Sequence, residues 1–416
     1  MSPMQVEPTN QDSRINQLDI LRGFALMGIL IMNIQSFSMP LAAYLNPTVW
    51  GDLKGINYFV WFTSHILADA KFMGLFSILF GAGICLFAER AEQRNGRSGL
   101  LHYKRNFWLL VFGLIHAHFI WFGDILVSYA LCGFWVYWFR HKSVKFLITS
   151  SILFLSILFF YTLLVNFAIN NQFIPQESIE EILYFWRPDH AQLAAEISAY
   201  TGGFLEQTLR RSSDAFFLET QGFFGGTLWR VGGMMLLGMA LYKNGVLTGK
   251  RTNTFYFWLI LVGLSIGISL SSYGIIQNFL HGFDVNYSMF LGSQFNYWGS
   301  IFTTLAYIGM INLVINNGLL KSLQKRLAAV GQMAFSNYIA HSLICTFIFY
   351  GHGLGLFSQV ERSSQIIIVF VIWGLQLWYS PLWLNKYRFG PLEWMWRSLT
   401  YWQKQSMVRP EEALPK

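Results

Sequence analysis

Residues 106–123 read NFWLLVFGLIHAHFIWFG, a run without one Asp, Glu, Lys or Arg. A membrane-crossing helix needs about 20 mostly apolar residues, and this run approaches that length. Yet His116 and His118 stand inside it, and Asp124 follows at its end. Ionisable groups at membrane depth are costly and persist where they pair, line a cavity or do chemistry. The stretch therefore frames the fold and the function together.

Outward from it, the same pattern recurs. The chain is 54% hydrophobic and 12% charged, about half the charge of a soluble domain. Spans are predicted near 21–41, 66–89, 106–122, 124–140, 146–168, 222–242, 254–278, 295–317, 328–350 and 364–384. The fold class is thus all-α, a polytopic transmembrane bundle of about ten spans. The second span has an amphipathic approach from about position 56. Cys85, Cys132 and Cys345 lie in apolar runs without metal-ligand spacing and read as small buried hydrophobes. The first 18 residues, with Glu7, Asp12 and Arg14, lack the basic and apolar regions of a secretory signal.

Basic residues set the orientation. Arg90, Arg94, Arg97, Lys104 and Arg105 crowd one loop; Arg140, Lys142 and Lys145 fill another. Lys243, Lys250 and Arg251 mark a third, and Lys321, Lys325 and Arg326 a fourth. With those of the termini they make 22 of the 29 basic residues, all on one side if ten spans alternate. By the positive-inside rule that side, and both termini, are cytoplasmic. The formal charge of +8 follows from this asymmetry; it points to anionic lipid and the bilayer as partner, not to nucleic acid. Residues 1–18 read as a cytoplasmic tail, 19–386 as the bundle with an outer segment 170–213, and 387–416 as an interfacial helix and tail. The outer segment suggests one or two short amphipathic helices, a lid or a plain connection.

Four spans offer polar groups at depth. His116 and Asp124 are the candidate catalytic pair, a histidine oriented by a carboxylate as a general base. His118 points to another face, and it and His65 read as packing or interfacial groups. Lys71 and Asp69 stand at the outer end of the second span. Arg230 lies near mid-depth in the sixth and calls for a partner such as Asp124 or Glu219. Asn337 and His341, at i,i+4, add polar positions in the ninth. These five are candidate substrate-binding residues, with interhelical hydrogen bonding as the alternative, strongest for Ser336 and Asn337. At the inner end Asp19 and Arg22 form either a local i,i+3 ion pair or a donor-binding position. Gly81, Gly83, Gly225, Gly226, Gly232 and Gly233 permit close helix approach or breaks, and follow no nucleotide fingerprint.

Several segments resemble the YeiB-like family of bacterial inner-membrane proteins: LDILRGFALMGILIMNI (18–34), KFMGLFSILFGAG (71–83), GLIHAHFIWFGDIL (113–126), WRVGGMMLLGMAL (229–241), GQMAFSNYIAHSLICTFIFY (331–350) and YRFGPLEWMWRSLTY (387–401). The resemblance implies a multi-pass protein of the cytoplasmic membrane, classed under a domain of unknown function. His341 departs from it, since Gln is frequent there. The opening LDILRG is also similar to the start of membrane acyltransferases of the heparan glucosaminide acetyltransferase type. That likeness implies a cytoplasmic acyl-CoA donor, no permanently bound cofactor, and a small-molecule or glycan acceptor reached from outside. The histidine of those enzymes has no clean counterpart here, so the role of His116 is read from local physics.

Three functions compete. An acyltransferase would use His116 as base, Asp124 to orient it, Lys71 or Arg230 to stabilise developing charge, and Arg22 near the donor phosphates. It requires a polar tunnel from Arg22 to His116. A small-solute transporter would use the same groups as a pathway, although no convincing inverted repeat accompanies them. A scaffold or sensor would need them only for folding. Substrate, donor and oligomeric state have no signature in the sequence.

Overall fold

The computed structural model describes residues 14–93 and 98–409. Glu7, Asp12, Arg94, Arg97 and Lys416, which enter the charge reading, lie outside the described residues. The first helix, α1 (Asn16–Ser38), is mostly apolar and buried around most of its circumference, as suits a helix at the centre of a bundle. After the short α2 (Leu41–Leu45), α3 (Gly55–Leu67) and α4 (Lys71–Gln93) form one apolar stretch. A turn at Ala68–Ala70 breaks it, with Ala70 in the left-handed region at φ 62°. α5 (Ser98–Phe119) carries the histidines, and α6 (Leu126–Val136) extends through a 3₁₀ turn to Phe139. α7 (Val144–Asn170) follows. Three helices then follow in the segment expected to face outward: α8 (Gln176–Trp186), α9 (His190–Thr201) and α10 (Phe204–Phe217).

α10 runs through a π-helical segment, Leu218–Thr227, into α11 (Leu228–Lys243). α12 (Asn253–Leu280), α13 (Val285–Tyr287) with a π turn, and α14 (Ser293–Asn316) come next. α15 (Lys321–Gln332), α16 (Ala334–Phe349), α17 (Arg362–Lys386) and α18 (Pro391–Tyr401) complete the chain. Among the described residues the one β contact is an isolated bridge between Tyr387 and Val408.

The fold is therefore an all-α membrane bundle, with seven helical stretches among the described residues long and apolar enough to cross a membrane. The remaining three expected spans are helical but differ from full-length apolar spans. α5 keeps Lys104 and Arg105 within its length, while α6 with its 3₁₀ extension, and α16, are short. Four boundaries also need correction. α1 begins at Asn16, inside the expected tail. The outer segment holds three helices, and its last is continuous with the sixth span. The second span is α4, with α3 a separate helix. The expected ninth span is broken at Met333 into α15 and α16.

Layering follows exposure. In the span window of α1, 72% is buried, against 17% for α7. α7, α12 and α17 turn Phe160, Leu164, Trp258, Ile276, Phe370 and Trp378 outward, apolar faces that suit lipid contact. α4 and α11 cross closely because each offers a glycine. A Cβ at Gly81 would lie 2.0 Å from the Met235 carbonyl oxygen, and one at Gly238 the same distance from that of Ile78. Cys85, Cys132 and Cys345 are buried free thiols.

Candidate functional site

The chain leaves α5 at Phe119, turns, and re-enters helix at α6. Asp124 sits at that re-entry, where its Oδ2 accepts from the Val127 amide at 2.8 Å. Short polar side chains are favoured there because the first N–H groups of a helix lack partners. The other oxygen, Oδ1, lies 2.7 Å from His116 Nδ1. Both oxygens thus act as acceptors, so Nδ1–H donates to Asp124 and the neutral ring presents Nε2 as an acceptor. Nε2 lies 2.8 Å from Ser342 Oγ of α16. The result is a Ser–His–Asp chain with each member buried.

Gly113 makes room for it, since a Cβ there would come 2.7 Å from the Val127 nitrogen and 3.2 Å from Asp124 Oδ2. From α10, the buried Arg211 donates to the carbonyls of His118 (3.0 Å) and Ile120 (3.4 Å), pinning the turn. His118 faces Glu219 at 3.2 Å, away from the chain.

Two aromatic rings close around His116. Tyr338 has its ring centroid 5.2 Å away and Trp121 6.3 Å away. Both are buried; Trp121 Nε1 has no hydrogen-bond partner, and the Tyr338 hydroxyl donates to no acceptor, with the Ile125 backbone amide beside its oxygen. Tyr338 is also a wall of a cavity of about 300 Å³, which includes Ile125, Leu126 and Tyr129 on the same side. Leu79, Ile84, Leu109 and Phe335 give it an apolar lining. At 1.5 Å per residue, about 16 Å of helix separates Arg105 from His116, roughly half a bilayer core.

The other part of the lining is charged. Arg14, Arg22, Arg90, Arg105 and Arg397 contribute to it, against the carboxylates of Asp19 and Glu393. Asp19 holds Arg22 at 2.8 Å and Arg14 at 3.5 Å, so the i,i+3 pair forms and also borders the cavity. Arg105 lies over the Trp396 ring at 4.5 Å, and its carbonyl accepts from Trp396 Nε1 at 2.8 Å. Burial, with Arg14 nearby, pushes Arg397 down to about 10, still protonated at neutral pH. Burial pushes the Glu393 carboxyl up, while the Ser336 and Phe335 donors pull it down. Glu393 accepts from the amides of Phe335 (2.7 Å) and Ser336 (3.1 Å), capping α16. α18 is therefore a wall of the cavity as well as an aromatic helix.

The remaining candidate residues fall elsewhere. Lys71 Nζ donates to the His65 carbonyl (2.8 Å) and Asn296 Oδ1 (2.5 Å). Asp69 accepts from Asn296 Nδ2 at 2.8 Å and lies 3.1 Å from His65. Arg230 donates to the Tyr297 carbonyl (2.8 Å) and Ser300 Oγ (2.5 Å), with its guanidinium over the Tyr297 ring. The expected pairing of Arg230 with Asp124 or Glu219 is thus corrected. About 16 Å of helix separates position 219 from 230, and the Arg230 side chain turns to α14 instead. Asn337 donates to the Val330 carbonyl (3.1 Å) and Ser380 Oγ (3.2 Å), and Tyr379 donates to it. His341 Nε2 meets Gln376 Oε1 at 2.8 Å. These bonds tie α16 to α15 and α17.

A family model described as "Protein of unknown function (DUF418)" matches residues 241–403. The chain is 32% identical to the uncharacterized protein YxaH of Bacillus subtilis (strain 168), covering 96% of this chain and 97% of that one. It is 30% identical to the uncharacterized protein YeiB of Escherichia coli (strain K12), covering 92% and 95%. The chain belongs to the YeiB-like family. Relatives of this family match it at both ends, including an uncharacterized 39.9 kDa protein of Bacillus acidopullulyticus at 26% identity over 98% of this chain. The names of these relatives carry no activity; the chemistry of this YeiB-like protein rests on its own residues.

Sequence reasoning missed Ser342, Tyr338, Trp121 and the part of α18 in the cavity. A serine in an apolar helix ordinarily bonds back to its own helix and carries no signal. Trp121 and Tyr338 look like ordinary core aromatics until their unpaired donors are seen.

Proposed function

We propose that this YeiB-like protein is a multi-pass inner-membrane acyltransferase, taking an acyl group from cytoplasmic acyl-CoA to a small-molecule or glycan acceptor at the outer side. The observation that carries this reading is the cavity, which joins an arginine-rich lining to Tyr338 and hence to the His116 ring. Five arginines against two carboxylates suit the phosphates of a CoA donor. The apolar stretch between suits its pantetheine arm and acyl chain. In place of the polar tunnel from Arg22 to His116 expected from sequence stands a mostly apolar cavity, lined by Arg22 and Tyr338 but not by His116 itself. Acyl-CoA is a substrate here, with no cofactor held permanently. His116, oriented by Asp124, takes the proton of the attacking group. The cluster of Asp69, Lys71 and Arg230 bonds to α14, and its role in this reading is acceptor binding near the outer ends of the spans. Asn337 and His341 position α16.

The test is thiol release from acetyl-, octanoyl- and palmitoyl-CoA by the purified protein in lipid nanodiscs. Turnover by wild type and a loss of about 10²-fold or more in His116→Ala support the reading. Equal consumption by both overturns it. The transporter reading rests on the broken helices at Met333 and the π-helical Leu218–Thr227. Solute counterflow in proteoliposomes without thiol release would favour it.

A further inference from the structure

We propose that Ser342 is the nucleophile, carrying the acyl group covalently between donor and acceptor, so that transfer proceeds in two half-reactions. The inference rests on the acyl-transfer reading above and adds to it the residue that becomes acylated. Three observations lead here. Ser342 Oγ, His116 Nε2, His116 Nδ1 and Asp124 Oδ1 form one line of contacts at 2.8 and 2.7 Å. Asp124 is itself held by the Val127 amide, so the imidazole has a fixed tautomer whose free lone pair faces a hydroxyl. A serine so placed is an activated nucleophile, recognised by geometry and role, not by position in the chain.

The second observation is the pair of donors without partners. Trp121 Nε1–H and the Tyr338 hydroxyl are buried, and each ring lies against His116. Leaving a buried donor unpaired costs about 1–3 kcal/mol. That cost is offset when an oxygen arrives between them, and the oxyanion of a tetrahedral intermediate at Ser342 is such an oxygen. The third is the cavity, whose lining includes Tyr338, one helical turn before Ser342 on α16.

The chemistry balances without a further reactant. Ser342 Oγ attacks the thioester carbonyl carbon while its proton passes to His116 Nε2. The C–S bond breaks, and the CoA sulfur leaves as a thiol with that proton. The acceptor hydroxyl or amine then attacks the Ser342 ester, giving its proton to Nε2, which returns it to Oγ as the C–O bond to serine breaks. Asp124 keeps its place throughout, balancing the imidazolium.

The experiment combines two readouts on the intact protein in nanodiscs: intact mass after acyl-CoA without acceptor, and labelling by an alkyl fluorophosphonate. Wild type is expected to release a burst of CoA thiol stoichiometric with protein, and to gain the mass of one acyl group on the peptide containing Ser342. Ser342→Ala loses burst, adduct and fluorophosphonate label. Ser342→Cys, a near-isosteric variant that keeps a nucleophile, retains an acyl adduct, and this separates lost chemistry from lost fold. Acyl-CoA turnover that survives in Ser342→Ala but not in His116→Ala overturns the covalent route and leaves acyl transfer standing. Fluorophosphonate labelling of Ser342 without consumption of any acyl-CoA supports the nucleophile and overturns the donor. Absence of both label and turnover overturns both.

Discussion

Asp124 does two jobs at once: it caps α6 through Val127 and fixes the His116 ring. Replacing it with Asn preserves shape but lets an amide face Nδ1, which favours the wrong tautomer. Asp124→Asn is expected to cut thiol release by about 10²–10⁴-fold while the unfolding midpoint falls little. Steady-state rates beside differential scanning fluorimetry check this. Glu196 of α9 gives a pH signature. Burial raises its carboxyl from 4.5 to about 7, against the pull of the Leu41 amide and of Arg210, with Asp214 adding to the rise. The folded state therefore holds that proton more tightly than the unfolded one. Its contribution is full below pH 4.5 and is lost as pH rises through 7. Glu196→Gln is expected to flatten the fall in midpoint over that window and to raise it by about 2–4 °C at pH 8, read by thermal unfolding at stepped pH. At this scale the His116–Asp124 pair was legible, because eight residues across a helix end keep the two close. Ser342 was not, since its contact spans 226 positions and depends on how α5 and α16 cross.

Among the elements, the break at Met333 matters most, because it creates a helix N-terminus against the cavity. Glu393 supplies the acceptors that α16 lacks there, through Phe335 and Ser336. Glu393→Ala is expected to destabilise the protein by about 1–2 kcal/mol. It should also speed hydrogen exchange at Phe335 and Ser336, measured by mass spectrometry, with α4 and α11 unchanged. The long apolar stretches were read correctly as helices because their hydrophobicity alone dictates burial or lipid. The break between α15 and α16 escaped, since 328–350 holds no Asp, Glu, Lys, Arg or Pro and the acid that caps α16 lies some sixty residues later. The continuity of α10 with α11 escaped for the opposite reason. Its polar first half, with Arg210, Arg211 and Asp214, reads as a loop until Arg211 and Asp214 are seen buried against α5 and α9.

For the whole molecule, the bundle sets an arginine-rich opening on one side of a buried Ser–His–Asp chain. Charge bias in the sequence anticipated the arginine-rich lining, and the resemblance supplied the donor class that is proposed for it. Neither revealed that α18 folds back to complete the wall. If the arginines hold phosphates, donor affinity weakens with salt, as exposed charges are screened over about 10 Å at 0.1 M. Arg397→Gln is then expected to raise KM for acyl-CoA several-fold with kcat little changed, and to flatten that salt dependence. The most direct test of the account is a cryo-EM map of the protein in nanodiscs with a non-hydrolysable thioether analogue of acyl-CoA. The account expects the phosphates among Arg22, Arg105 and Arg397, and the chain running inward so that its reactive carbon lies beside Tyr338, His116 and Ser342. An analogue bound at the opposite face, or a cavity left empty at saturating analogue, would contradict it.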